Sequence, residues 1–163
     1  DQPGVTIVPM PETSFVPEVP HARIHPQEVA IDTASLLPGD GYSNYVKPFR
    51  TLEDTFVTAA ALAYLLREAR ARGWPADLRE RLSAALSALA MVAQSHRDAP
   101  TTHVALAGAL HWAAALYDEA GALWATTPED PASRRWLRDA PLFAVAAGAR
   151  QQRAARAWER LQA

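Results

Sequence analysis

Cysteine is absent from the 163 residues. That excludes a disulfide framework and any metal or redox centre built on thiolates. Lysine is almost absent as well. Lys47 stands alone among sixteen basic residues, and the Arg and Ala bias is that of a GC-rich bacterial coding sequence. Neither sign of charge dominates: the formal net charge is −2. Global electrostatics therefore argue neither for nucleic acid nor for an acidic membrane surface as partner. No apolar run is long enough to span a bilayer, because Arg, Glu and His interrupt the Ala-rich stretches. Several catalytic signatures are missing: G-x-S-x-G, the P-loop, G-x-G-x-x-G and H-E-x-x-H. The five histidines are His21, His25, His96, His103 and His111. Pro20 and Pro26 hold the first two in extended chain, and His103 and His111 lie two helical turns apart, so no metal site is expected.

What is present divides near Arg50. Residues 1–50 are dense in proline, which lacks the N–H a helix interior needs. Val5–Val8, Ala22–His25 and Glu28–Ile31 read as minimal strands between the prolines. This half resembles the tail of a β-domain, and a chain that opens at Asp1 reads as trimmed, processed or a fragment. "PGDG" (Pro38–Gly41) reads as a tight turn.

Residues 51–163 carry helical periodicity. Thr51 to Asp54 resembles a capping box that opens a first helix. Its expected inward stripe is Val57, Ala60, Ala61, Tyr64 and Leu65, and Gly73 is expected to stop it. Pro75 opens a second helix with Leu78, Leu82, Leu86, Leu89 and Val92 inward. Thr101 or Thr102 caps a third, burying Leu106, Leu110, Tyr117 and Trp124. Asp130–Pro131 caps a fourth stretch, which Pro141 kinks or splits. The expected fold is mainly α: an antiparallel up-down four-helix bundle preceded by a Pro-rich segment of short β-strands. The C-terminal stretch holds Arg134, Arg135, Arg138, Arg150, Arg153, Arg156 and Arg160. These form either a solvated helix face or a face for a phosphate-bearing cofactor or acidic partner.

Two stretches carry a family resemblance. "FVPEVPHARIHPQEVAIDTASLLPGDGYSNYVKPFRTLED" (Phe15–Asp54) is similar to the end of the β-domain and the crossover into the C-terminal bundle of the acyl-CoA dehydrogenase family, in a divergent bacterial branch. "RRWLRDAPLFAVAAGARQQRAARAW" (Arg134–Trp158) resembles that branch's last helix. The resemblance implies an FAD-dependent oxidoreductase of fatty acid metabolism that desaturates acyl-CoA thioesters in the cytoplasm. It implies electron-transfer flavoprotein as acceptor and a homo-oligomer, with no nucleic acid and no membrane span. A carboxylate base takes the α-proton in this family. The Gly-Gly-x-Gly-aromatic signature near one base position is missing here. Matching "EDTFVTAAALAYLLREA" (Glu53–Ala69) to the family's first bundle helix places Glu53 at the alternative, first-turn base position. Asp54 stands where the family often has arginine. Glu53 also reads as an ordinary first-turn acid, favourable with the helix dipole. Most flavin-contacting strands of the family lie outside this sequence, so the chain alone is expected to be inactive and not to retain FAD. The alternative expectation is a non-catalytic oligomerisation or interaction bundle.

Overall fold

Proline decides where the helices begin. Pro100 and Pro131 each occupy the first turn of a helix, where a missing N–H costs nothing, and Pro48 marks the change from a preceding π-helical turn to α-helix. The structure, a computed structural model, describes residues 2–163. Its elements are β1 (Val5–Pro9), β2 (Ala22–Pro26), α1 (Lys47–Ala71), α2 (Ala76–Gln94), α3 (Pro100–Ala125), α4 (Pro131–Asp139) and α5 (Ala147–Gln162). The described chain is thus mainly helical, with five α-helices and one two-stranded antiparallel sheet. None of these helices is long and apolar enough to cross a membrane.

The first helix starts earlier than the capping-box reading places it. A π-helical turn, Tyr42–Val46, runs straight into α1. Asp40 anchors that turn, accepting from Ser43 N at 2.7 Å, while Tyr45 Oη donates to the Pro38 carbonyl at 3.0 Å. Gly39 sits at φ +81°, and a Cβ there would run into the Asn44 amide, so the turn requires glycine. Thr51 and Asp54 are consequently interior helical residues, not caps. The far end agrees with the sequence: Gly73 takes φ +65° and Trp74 N returns to the Ala69 carbonyl, a left-handed C-terminal stop.

Asp130 caps α4 as expected, accepting from Ala132 N at 2.7 Å. Neither Thr101 nor Thr102 caps α3. Ala99 holds that position, and Thr102 Oγ1 instead donates to the His96 carbonyl. Pro141 splits the fourth stretch. A 3₁₀ turn, Ala140–Ala144, separates α4 from α5, and Ala146 reverses the chain at φ 65°.

The core lies among α1, α2 and α3. Leu62, Leu65, Leu78, Leu82, Leu89, Leu106, Leu116 and Trp124 are all buried. Leu86, Leu110 and Tyr117, expected inside, are half-buried at its edge. The Arg72 guanidinium lies 4.2 Å from the Trp124 ring centre and 2.6 Å from Asp130, tying the end of α1 to α3 and α4. Trp136, Tyr117 and Phe143 form an aromatic joint, with Tyr117 and Phe143 centroids 4.2 Å apart, that seats α4 and the 3₁₀ turn on α3.

β1 and β2 pair with Ile7 opposite Ile24, and both side chains are more than 60% exposed (62% and 63%). The third expected strand, Glu28–Ile31, does not form. A lone hairpin is marginal in water. Side chains tie the loop between its strands to α4: Glu18 pairs with Arg138 at 2.9 Å, and Val16 N donates to Asp139 at 2.7 Å.

Candidate functional site

The N-terminal half of α1 buries its polar side. Thr51, Asp54, Thr55 and Thr58 face inward, while Val57 and Ala60 of the expected stripe are exposed; its later members hold, with Leu65 buried and Ala61 and Tyr64 half-buried. Thr55 meets its own needs by donating to the Thr51 carbonyl at 2.8 Å. Asp54 cannot, because a buried carboxylate needs a cation. It finds two. Oδ1 accepts from Arg150 Nε at 2.8 Å and Oδ2 from Arg153 Nη2 at 2.7 Å. Arg150 also donates from Nη1 to the Phe143 carbonyl at 3.0 Å, which fixes its plane. Asp54 on this polar face therefore links α1 to α5, while Tyr117 of α3 reaches the Thr58 carbonyl of the same helix.

Beside this joint lies a cavity of about 440 Å³. α1 contributes Lys47, Arg50, Glu53 and Asp54, and α5 contributes Arg150, Arg153, Arg156 and Arg160. The four arginines of α5 fall within about one third of the helix circumference, so they present one face. Six cations against three carboxylates (Glu53, Asp54 and Asp98) leave a formal surplus of three positive charges in the lining. Lys47, Arg50, Arg156 and Arg160 have no ion-pair partner among the described residues.

His103 closes one side. It is buried, with Nε2 2.9 Å from the Arg97 carbonyl. A carbonyl can only accept, so Nε2 carries the proton. Burial, reinforced by the neighbouring Arg153 and Arg160 charges, pushes the His103 pKa below its ordinary value. The imidazole is thus a neutral wall of a cationic pocket.

The sequence-expected residues divide clearly. Glu53 lies on the cavity lining and is exposed, in the second turn of α1 and not the first. The C-terminal arginines separate into two groups. Arg150, Arg153, Arg156 and Arg160 converge on this cavity, whereas Arg134, Arg135 and Arg138 lie on α4 around a shallower hollow. Trp136 is buried in the aromatic joint and Trp158 is exposed. His21, His25, His96 and His111 are exposed, and no three His, Asp or Glu side chains converge among the described residues. Asp54 and His103 were missed as members of one site. Asp54 gave no local signal of this role, because its partners stand ninety-six and ninety-nine positions away.

Comparison with protein-family models, with curated proteins and with solved structures finds no match for this chain.

Proposed function

We propose that this chain is the C-terminal portion of an FAD-dependent oxidoreductase of the acyl-CoA dehydrogenase type, acting on acyl-CoA thioesters, and that it is inactive by itself. In this reading α1, α2, α3 and α5 serve as an up-down four-helix bundle. The successive packing of α1 on α2, α2 on α3 and α3 on α5 supports that order. The single observation that carries the functional reading is Glu53. It is an exposed carboxylate on the lining of a cation-rich cavity, carried by a long helix whose start is pinned by the Asp40 turn. A general base needs that rigidity and that access.

The cavity fits part of the implied cofactor and not the rest. Its cations suit phosphate groups. Its one aromatic side chain is Tyr42, 61% exposed, which gives no flat apolar slot for a flavin ring. The flavin would supply hydride acceptance at N5, its ring held by surfaces beyond these residues. What the chain contributes is the base at Glu53, a cationic wall, and the docking of α5 through Asp54.

The test is acyl-CoA-dependent dye reduction by the natural gene product and by its Glu53→Gln variant. The wild type is expected to turn over with bound flavin. The variant should keep its flavin absorbance and lose about 10²- to 10⁴-fold in rate. Full activity in the variant removes Glu53 as base, and absence of both flavin and turnover in the wild type sinks the reading.

A second reading, a non-catalytic oligomerisation module, is favoured by Phe49 and Phe56, each 59% exposed on α1. Light scattering on the Phe49→Ser/Phe56→Ser protein distinguishes it. That reading expects a mass drop to monomer, and an unchanged mass removes it.

A further inference from the structure

We propose that the α1–α5 cavity is a binding site for a small anion carrying at least two phosphate groups. The proposal stands on the cavity alone and survives failure of the dehydrogenase reading.

Four cations of the lining make no ion pair among the described residues: Lys47 and Arg50 on α1, Arg156 and Arg160 on α5. Like charges gathered on facing helices repel one another, and a bound anion removes that repulsion. The Asp54 joint makes the arrangement firm. It holds Arg150 and Arg153 at fixed distances and so sets the spacing of α5 against α1. Arg153 spends only one N–H, from Nη2, on Asp54, leaving further donors on a guanidinium whose position is already fixed. Preorganised arginine forks match the geometry of phosphate oxygens and bind them in pairs.

The surplus of three charges sets the class of ligand. A carboxylate or a single monoanion would leave most of it unbalanced, whereas a diphosphate balances it. The volume, about 440 Å³, falls within the range of ~300–1,000 Å³ typical of small-molecule sites. Nucleic acid is disfavoured because the cations line a cavity on a chain of net charge −2, and do not form a stripe along its surface.

The experiment is calorimetric titration of the chain with inorganic pyrophosphate, then with ADP. Saturable binding at about one equivalent is expected for both, weakening steeply with added salt. Arg156→Gln/Arg160→Gln should weaken pyrophosphate binding at least tenfold without lowering the thermal midpoint, since removing two like charges relieves their repulsion. Arg134→Gln/Arg135→Gln, on the other basic face, should leave binding unaltered. The site is overturned if pyrophosphate fails to saturate, if the Arg156/Arg160 variant binds as well as the wild type, or if the α4 variant loses binding equally. Tighter binding of a single-stranded oligonucleotide than of pyrophosphate also overturns it. Flavin need not be present, so this result is independent of any dehydrogenase assay.

Discussion

Asp54 on α1 accepts a hydrogen bond from Arg153 on α5 at 2.7 Å, across ninety-nine positions of sequence. The Asp54 side chain is 11% exposed and the Arg153 side chain 16%. Together with Arg150 on the other oxygen, this contact joins the start of the first long helix to the last helix. It also builds one wall of the cation-rich cavity. Docking and site are therefore one structure.

Asp54→Ala leaves two partly buried guanidinium groups without their acceptor. The expected loss is about 2–3 kcal/mol of folding stability. Urea denaturation measures it. Hydrogen exchange should locate the loss in α5, whose amides should exchange faster, with α2 little altered. Uniform loss of protection would mean that Asp54 serves the whole core and not the docking of α5.

His103 makes the fold sensitive to mild acid. Its folded-state pKa lies below the ordinary value of 6.5, so the unfolded chain takes up a proton first. The stabilising contribution of neutral His103 is present above that value and is lost as pH falls through the folded-state value. The urea midpoint should therefore drop between pH 7 and pH 5. His103→Gln should flatten that part of the profile. An unchanged slope in the variant assigns the acid sensitivity to other groups.

Much of the helical frame could be read directly from the sequence because its signals are local. Gly73 had to be a left-handed stop, and Asp130–Pro131 had to be a cap followed by proline. The heptad-like leucines of α2 point inward because they contrast with Arg, Glu and Ser between them. In α1 that contrast fails. Alanine gives the helix little preference between faces, so the inward side is chosen by what docks there. The Asp54 pair draws Thr51, Thr55 and Thr58 in, leaving Phe56 and Val57 outside. Long-range pairing of charges has no sequence period, which is why Asp54 read as part of a cap. The arginines of α5 were visible as a cluster, but only the fold separates them from those on α4.

Tyr117 gives an alkaline counterpart to His103. Burial pushes its hydroxyl up to about 12, although its hydrogen bond to the Thr58 carbonyl remains a long one at 3.4 Å. The neutral phenol is favoured in the fold, so its contribution holds below the ordinary value of 10.0 and is lost as pH rises toward 12. Absorbance at the tyrosinate band should show one tyrosine ionising late, toward pH 12. Tyr117→Phe should remove that late step. It should cost no more than about 1 kcal/mol near neutral pH, since the ring contacts with Phe143 and Trp136 remain.

The last test concerns Ala146, which lines the cavity and starts α5 at φ 65°. A left-handed conformation costs a residue with a Cβ about 1–2 kcal/mol, a cost glycine does not bear. Glycine in turn loses more entropy on folding, by about 0.4–1 kcal/mol. The difference leaves Ala146→Gly stabilising by roughly 0.5–1 kcal/mol, read as a rise in urea midpoint. Ala146→Val should go the other way, because a β-branched side chain tolerates that conformation least. If Ala146→Gly proves destabilising, the reversal at the head of α5 is not strained in solution. The direction in which α5 presents Arg150, Arg153, Arg156 and Arg160 would then be set by its packing on α3 and by the Asp54 joint, without a strained reversal.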